Sequence, residues 1–389
     1  MTSNPAQSLE NSRDGLPDVK DRNAPLYFPA LDGLRFFAFL LVFFRHAQQL
    51  PTDYGSFLKN FGWMGVDLFF VLTGFLFFTM LRREYENSGG VINYKKFYLR
   101  RVLRIMPLYF LYIAVITAMA VHAGDPEPFA KFLALATFTF NLLWAFDGKQ
   151  WGMENGGHLW TIGYEEQMYL FLPLVVVAIL HAKRTWISVV ALLLVAAAGT
   201  LLHYLAIRYR LTQGNGTYLV PIFRPETLIA GILCGIAWTT NAYRKLPSWA
   251  YGTIAFAVLS SMFVMSNEYG YRIFHVSSSL ITYPVLALLF GSTLLYVLSP
   301  GSWLGRLLTV QPLPWLGKIS YGLYIWHLIV RPFVFVWVIR PLHLPRTFGV
   351  LIPVTLAFVI AVAAISYYLY ERPFIRLKER FQVIHNRPV

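Results

Sequence analysis

The sequence has little charge and almost no cysteine. Of its 389 residues, 13% are charged, and the single cysteine, Cys234, lies in an apolar segment. One thiol excludes an intramolecular disulfide and a cysteine-based metal site, so we interpret Cys234 as a small core residue. Acidic residues are the scarcer ones: 19 Asp and Glu face 33 Lys and Arg, which gives a formal net charge of +14.

The sequence also lacks internal organisation beyond one domain. We find no repeat of 20–50 residues, no inverted halves, and no polar stretch long enough for a second domain. The first residues are polar and rich in Pro and Asn, without the apolar core of a signal peptide. We therefore expect a disordered cytoplasmic tail over 1–30, one membrane domain over 31–377 and a cytoplasmic tail over 378–389.

Apolar residues are abundant. The chain is 57% hydrophobic and 17% aromatic, with a mean hydropathy of +0.52. Its apolar runs approach or exceed the ~18–20 residues that cross a bilayer as a helix, and they lack the short alternation of a membrane β-barrel. These features predict an all-α, polytopic transmembrane bundle with about ten spans, near 34–50, 62–82, 105–123, 164–181, 185–205, 221–239, 249–266, 279–298, 315–338 and 348–370.

The location of the positive charges predicts the orientation. With ten spans and a cytoplasmic N-terminus, 20 Lys and Arg fall on the inner side and 8 on the outer side. The segment 129–146 is ambiguous, because it could span, lie along or dip into the membrane. Treating it as a span gives 16 against 12, so the positive-inside rule favours ten spans with both termini cytoplasmic. Charges placed this way suit membrane lipid rather than nucleic acid as a partner.

The first apolar segment, DGLRFFAFLLVFFRHA, carries Arg35 near its start and His46 near its end. On a helix, the eleven residues from Arg35 to His46 advance about 1100° and rise about 16 Å, so both side chains point the same way. A charge inside hydrocarbon costs at least ~2.5–3.5 kcal/mol, which favours an internal site. We interpret His46 as a general base that shares a pocket with Arg35. Interfacial anchoring of His46 is the alternative.

The second polar feature is Asp67 in GWMGVDLFFVLTGFLFF. It follows a short hairpin after His46, and a carboxylate there could orient the imidazole and stabilise its protonated form. The alternative is that Asp67 caps its own helix. In the same segment, Gly62, Gly65 and Gly74 are predicted positions of close helix packing.

A cluster of positive charge follows in YKKFYLRRVLRIMPLY. Arg100, Arg101 and Arg104 are helical neighbours, and guanidinium groups bind phosphate oxygens bidentately. We interpret this block, which ends at Tyr109, as the binding site of a phosphorylated cytosolic cosubstrate. Topology and binding of anionic lipid headgroups form the alternative.

Two later segments add candidates. In HLWTIGYEEQMYLFLP, consecutive Glu165 and Glu166 cannot both face one site, and Trp160 and Tyr169 suit a carbohydrate-binding surface on the outer side. In LGKISYGLYIWH, Tyr321 and His327 are further candidate substrate contacts, although a satisfied core histidine is the favoured interpretation of His327. No His, Asp or Glu pair has a metal-ligand spacing, so no metal site is expected.

Six blocks together resemble acyltransferase family 3, the integral-membrane enzymes that O-acetylate bacterial surface polysaccharides and some small glycosylated molecules. Thr73 stands where serine is common, and TIGYEEQ is a looser form of the glutamate block. The matching blocks run in the family's order from about residue 31 to 377: LDGLRFFAFLLVFFRH, GVDLFFVLTGFL, FYLRRVLRIMPLY, HLWTIGYEEQMYL, ISYGLYIWH and YLYERPFIRL.

The resemblance implies an acyl-CoA donor, usually acetyl-CoA, as cosubstrate, no permanently bound cofactor, and a location in the bacterial inner membrane. It also implies that Arg35 and His46 are essential and that the arginine block engages the donor. We expect His46, oriented by Asp67, to deprotonate a carbohydrate hydroxyl positioned by Glu165 or Glu166.

Several alternatives stay open at this point. His46 could first carry the acyl group itself. A transporter or flippase for a lipid-linked saccharide could use the same residues as a proton relay, and a non-catalytic assembly partner is a third class. The acceptor, the acyl length and the oligomeric state are not determined by the sequence.

Overall fold

The computed structural model describes residues 26–47, 56–147, 151, 153–269, 280–345 and 347–381. Regular structure in these ranges is helical, without a strand, which confirms the predicted fold class. The helices are α1 (Pro29–His46), α2 (Ser56–Phe61), α3 (Gly65–Asn87), α4 (Tyr94–His122), α5 (Pro128–Ala136), α6 (Phe140–Asp147), α7 (Trp160–His181), α8 (Thr185–Arg208), α9 (Gly216–Leu219), α10 (Glu226–Thr239), α11 (Ser248–Tyr269), α12 (Thr282–Val297), α13 (Trp303–Leu308), α14 (Leu313–Lys318), α15 (Ser320–Val334), α16 (Phe348–Ser366) and α17 (Arg372–Glu379).

In the described part of the chain, seven helical stretches are long and apolar enough to cross a membrane: Leu58–Asn87, Tyr94–His122, Gly157–His181, Thr185–Arg208, Ser248–Ser266, Ser320–Ile339 and Phe348–Glu379. The other three predicted spans correspond to α1, which has 18 residues and includes three charged ones, and to α10 and α12, with 14 and 16 residues. Ten spans and two cytoplasmic termini therefore stay predictions. Residues 1–25 and 382–389 of the predicted tails lie outside the described residues.

The ambiguous segment 129–146 forms two short helices rather than one rod. α5 and α6 meet at an angle of 118°. The backbone of Phe138 at the bend has φ 56°, a left-handed conformation that a non-glycine residue rarely adopts. Asn141, on α6 just after the bend, is fully buried and donates to the backbone carbonyl of Leu219 over 2.9 Å. A broken span or a re-entrant loop therefore replaces the continuous eleventh span.

Helix α1 lies in the interior and packs against α3, α14 and α15. Glycines permit this close approach, as predicted: a Cβ at Gly62 or Gly65 would collide with backbone carbonyls of α1. Gly74 of α3 likewise lies against the backbone of α10, where Gly231 faces it in return. Small residues at such crossings let helix backbones meet directly. Asp32 of α1 is consequently buried and Arg35 and His46 are partly buried among other helices, whereas Arg45 is exposed.

The outer helices present apolar side chains away from the bundle. Leu194 of α8 is 65% exposed and Phe256 of α11 is 72% exposed. A soluble protein rarely leaves such long apolar faces uncovered. Lipid contact is the environment that matches these faces, whereas the polar residues discussed below lie inside.

Candidate active site

A cavity of about 220 Å³ lies beside α1 and is lined by Arg35. The Arg35 guanidinium forms an ion pair at 3.1 Å with Asp32, one turn earlier on the same helix. We call this space the arginine cavity, because six cationic and three acidic side chains line it: Arg35, Arg100, Arg101, Arg104, Lys318, Lys378, Asp32, Glu165 and Glu371. The excess of positive charge suits an anionic ligand.

The three arginines predicted to act together all line this cavity, but they differ in their partners. Arg100 is buried and forms an ion pair at 2.7 Å with Glu84, so its charge is already balanced. The Arg101 guanidinium lies 4.2 Å from the centre of the Phe77 ring, a cation–π contact, and it is within electrostatic range of Glu165 and Glu166. Arg104 lies within electrostatic range of Glu165 and Glu371. The three arginines thus line one cavity in three different charge environments.

The glutamate pair separates as predicted, and Glu165 is the member that faces the cavity. The hydroxyl of Tyr169, one turn further along α7, donates to Glu165 over 2.8 Å and also lines the cavity. Glu166 is rotated by about 100° and is not part of the lining. The predicted placement of this pair on the opposite side from the arginine block is wrong, since Glu165 shares one cavity with Arg104.

Two residues predicted to contact substrates point away from the arginine cavity, because of their rotation round the helix. Tyr109 follows Arg104 by five residues, about 140° round the helix, and its hydroxyl donates to the backbone carbonyl of Leu135 over 2.9 Å. Trp160 precedes Glu165 by the same interval and packs on Tyr218, with ring centres 4.5 Å apart. Neither residue lines the arginine cavity, so direct contact of Tyr109 with a donor there is wrong. Tyr321 does line the cavity.

His46 lies at a second, smaller cavity of about 20 Å³, which we call the histidine cavity. Its Nδ1 lies 3.1 Å from Nε2 of His327, and the Arg331 guanidinium donates to its backbone carbonyl. A third imidazole, His158, packs 5.0 Å from the His327 ring and makes a 3.2 Å hydrogen bond with the backbone carbonyl of Ile325. His327 is thus buried, as expected of a core histidine, yet it contacts the candidate base directly.

Asp67 does not orient His46, and that prediction is wrong. Asp67 is fully buried, and its carboxylate lies 3.5 Å from the guanidinium of Arg224 and accepts from Thr227 over 3.2 Å. Arg224 is itself fully buried among aromatic rings, with its guanidinium carbon 4.2 Å from the Tyr218 ring centre and 4.9 Å from that of Tyr283. A buried arginine needs a carboxylate to balance its charge, and Asp67 supplies it.

Arg35 and His46 do not share a pocket, contrary to the expectation from their helical spacing. The arginine and histidine cavities have no lining residue in common. Tyr324 lies between them: its side chain lines the arginine cavity, while its backbone carbonyl bonds to His327 Nδ1 over 2.6 Å. The Tyr324 hydroxyl bonds to Thr161 over 2.7 Å and donates to the His158 carbonyl over 2.9 Å. These hydrogen-bonded groups of Tyr324, Thr161 and His158 lie between the cavities, and we call them the Tyr324 layer.

Several residues at these cavities were not predicted as site residues. They are Asp32, Lys318, Tyr324, Glu371 and Lys378 in the lining of one, Arg331 in the lining of the other, and His158 beside His327. Arg331 could have been found, because it follows His327 at i,i+4 on one helical face. Lys318 directly precedes the ISYGLYIWH block. Lys378 lies far in sequence from the other cations of the arginine cavity, and His158 lies far in sequence from His327. In the described part of the chain, no three His, Cys, Asp or Glu side chains are arranged to hold a metal ion.

Comparisons with known proteins agree with one another. A family model described as an acyltransferase domain matches residues 28–371. A Staphylococcus aureus (strain COL) protein named "Putative O-acetyltransferase" is 27% identical over 382 residues, which cover 93% of this chain and 59% of that protein. O-acetyltransferase OatA of Staphylococcus aureus (strain NCTC 8325 / PS 47) is 28% identical over 327 residues, 80% of this chain and 52% of OatA. The chain thus spans a little over half the length of these relatives. No solved structure matches it.

Proposed function

The chain belongs to acyltransferase family 3, and from this we propose that it is a membrane O-acyltransferase. It moves an acyl group, in the first instance acetyl, from cytosolic acyl-CoA to a hydroxyl group of a carbohydrate or glycosylated acceptor. The names of its relatives, which specify O-acetyl transfer, support this class of reaction. The single observation that carries the proposal is a histidine at the end of α1, next to a cation-rich cavity inside a helical membrane bundle.

The arginine cavity is the proposed donor site. Coenzyme A carries several phosphate charges, and the lining offers six cationic groups against three acidic ones. Arg101, Arg104 and the lysines Lys318 and Lys378 are the lining cations that we assign to the phosphates. Arg35, deeper along α1, is assigned to the thioester, where a guanidinium offsets charge that develops on the carbonyl oxygen.

Glu165 belongs to the donor side in this proposal. Its carboxylate lines the arginine cavity and is fixed by the Tyr169 hydroxyl. A carboxylate there restrains the Arg104 side chain and limits the number of anions that the cavity accepts. The role expected from the sequence, positioning of the acceptor by Glu165 or Glu166, therefore has no support from the arrangement of side chains.

His46 is the proposed general base on the acceptor side. The histidine cavity holds about one water-sized group, which is enough for a hydroxyl but not for a sugar ring. Proton removal from that hydroxyl by His46 lets the oxygen attack the thioester carbon, so that a C–O bond forms and the C–S bond breaks. The proton then passes to the departing thiolate. Transfer requires the Tyr324 layer to open, because donor and base lie on its two sides.

We place the protein in the bacterial inner membrane, with the donor cavity towards the cytoplasm and the acceptor on a cell-surface polysaccharide. The inward bias of lysine and arginine supports that orientation. Mass spectrometry of surface glycans from a deletion strain tests the acceptor class. We expect the loss of an acetyl increment from one glycan, and unchanged acetylation of all surface glycans contradicts this assignment.

The enzymatic test uses the purified full chain in lipid vesicles with radiolabelled acetyl-CoA. For His46→Ala we expect a fall in kcat of about 10²–10⁴-fold, the usual contribution of general base catalysis. For Arg35→Ala we expect a higher KM for acetyl-CoA, because this residue lines the donor cavity.

The matched control is His122→Ala, at an exposed histidine at the end of α4, away from both cavities. The proposal fails if folded His46→Ala protein transfers acetyl at the normal rate. It fails equally if the unmodified protein moves a lipid-linked saccharide across vesicles without acetyl-CoA, which is the behaviour of a flippase.

A further inference from the structure

A chain of hydrogen bonds leads from a backbone carbonyl to the proposed base. Nδ1 of His327 lies 2.6 Å from the carbonyl oxygen of Tyr324, and Nε2 of His327 lies 3.1 Å from Nδ1 of His46. We infer that His327 is a positioning residue that fixes the tautomer of His46. The inference rests on the proposed function only for the role of His46 as base, because the tautomer itself is a property of the resting protein.

The direction of each hydrogen bond follows from the first one. A carbonyl oxygen can only accept, so Nδ1 of His327 must carry a proton. In a neutral imidazole the other nitrogen, Nε2, then bears a lone pair and accepts. The proton between the two rings consequently sits on Nδ1 of His46, which leaves Nε2 of His46 unprotonated. The His46 ring also bonds to the backbone carbonyl of Val42, one turn earlier on α1, so His327 acts together with that carbonyl. Nε2 is therefore the basic nitrogen available to the acceptor hydroxyl.

The neutral form of His327 is the one that its surroundings favour. The side chain is 1% exposed, and no carboxylate in the described part of the chain hydrogen-bonds to either imidazole. Arg331, which donates to the His46 carbonyl, adds a positive charge close by. A second, uncompensated cation in this interior would be costly, so His327 does not carry one.

Helix α15 holds His46 at two points. His327 contacts the ring, and Arg331, one turn further along the same helix, donates to the backbone carbonyl. This double contact fixes the last turn of α1 and the plane of the imidazole together. His158 packs against the His327 ring at 5.0 Å and keeps that ring in place. When His46 takes up the acceptor proton, its Nδ1–H bond to His327 persists and stabilises the imidazolium.

Two substitutions of similar size separate positioning from packing. The glutamine oxygen in His327→Gln reaches the position of the imidazole Nε2 and can accept from His46. The shorter side chain in His327→Asn reaches only the position of Nδ1, so it keeps the bond to Tyr324 and loses His46. We expect His327→Asn to lower kcat for acetyl-CoA turnover by about 100-fold or more, and His327→Gln to retain about tenfold more activity than His327→Asn.

The KM for acetyl-CoA should stay within about twofold in both variants, because His327 does not line the donor cavity. His122→Asn, at an exposed histidine at the end of α4, serves as control. Equal losses in the Asn and Gln variants, or full activity in His327→Asn, overturn the inference.

A second measurement does not depend on turnover. In protein labelled with nitrogen-15 histidine and embedded in lipid, the ring nitrogen shifts report protonation directly, and the signals of His46 are identified by their loss in His46→Gln. We expect a protonated Nδ1 and a bare Nε2 at His46, with the preference weakened in His327→Asn, where the Val42 carbonyl remains. The opposite tautomer overturns the inference even if the protein shows no acetyl transfer, whereas missing transfer with the expected tautomer contradicts only the proposed function.

Discussion

At the level of single residues, buried charged side chains form two ion pairs that join different helices or segments. Asp67 and Arg224 are both completely enclosed, and each supplies the charge that the other needs. Arg100 and Glu84 form a similar pair at 2.7 Å. Such pairs add little net stability when intact, but a partner left alone in the interior is costly. They therefore fix the arrangement of helices rather than perform chemistry.

The role of Asp67 is open to a direct test. We expect Asp67→Asn to lower the free energy of unfolding by about 3–5 kcal/mol, because Arg224 then stays buried without a counter-charge. The kcat of the folded fraction should be unchanged, since Asp67 does not contact His46. Thermal unfolding in detergent and acetyl transfer by the remaining folded protein provide the two readouts.

A double variant, Asp67→Leu with Arg224→Met, serves as the control, and we expect it to recover much of the lost stability. If Asp67→Asn instead abolishes turnover in fully folded protein, the result contradicts a purely structural role and supports the orienting role expected from the sequence.

Among the helices, α1 and α15 carry the two histidines of the proposed site, and α3 and α10 pack closely against each other. α3 and α10 meet at Gly74 and Gly231, where each glycine lies against the backbone of the other helix. The sequence marked Gly74 as a packing position, but the identity of the opposing helix needed the structure. Asp67 on α3 and Thr227 on α10 join the same two helices.

This crossing gives a prediction at the level of helices. A methyl group at Gly74 has no room, so we expect Gly74→Ala to lower the free energy of unfolding by about 1–3 kcal/mol, the usual cost of overpacking. Gly349→Ala in α16 is the matched control, because nothing lies within 4 Å of the position where its Cβ would be. Unfolding curves that show equal stability for the two variants contradict the close crossing.

For the whole molecule, the central feature is the Tyr324 layer, which lies between the proposed donor cavity and the proposed base. The Tyr324 hydroxyl bonds to Thr161 and to the His158 carbonyl at the edge of the arginine cavity. The Tyr324 backbone carbonyl bonds to His327. A barrier of this kind keeps water away from an activated thioester until an acceptor arrives. The same residue thus takes part in both halves of the proposed site.

Removal of the Tyr324 ring should join the two cavities. For Tyr324→Ala we expect acetyl-CoA hydrolysis without acceptor to rise roughly tenfold, because water can then reach the thioester. Tyr324→Phe keeps the ring and loses only the hydroxyl bonds, so it should fall between Tyr324→Ala and the unmodified protein. Release of free CoA thiol measures the rate, and an unchanged rate in Tyr324→Ala shows that the layer is not the barrier.

The sequence by itself determined the helical fold, the inward position of Arg35 and His46 on α1, the clustering of Arg100, Arg101 and Arg104, and the glycine packing positions. These properties depend on composition and on spacing within one helix, which a linear pattern contains. Because consecutive helix residues point about 100° apart, the sequence also predicted that only one residue of the glutamate pair faces the cavity.

Only the tertiary structure decided which helices are neighbours. In the structure His46 contacts His327 instead of Asp67, and Asp67 forms an ion pair with Arg224. Glu165 lines the same cavity as the arginines. It also put Arg35 and His46 at different cavities, although they share a helical face. The physical reason is that a face about 16 Å long can meet several packing partners along its length, and contacts between residues far apart in sequence leave no periodic signal.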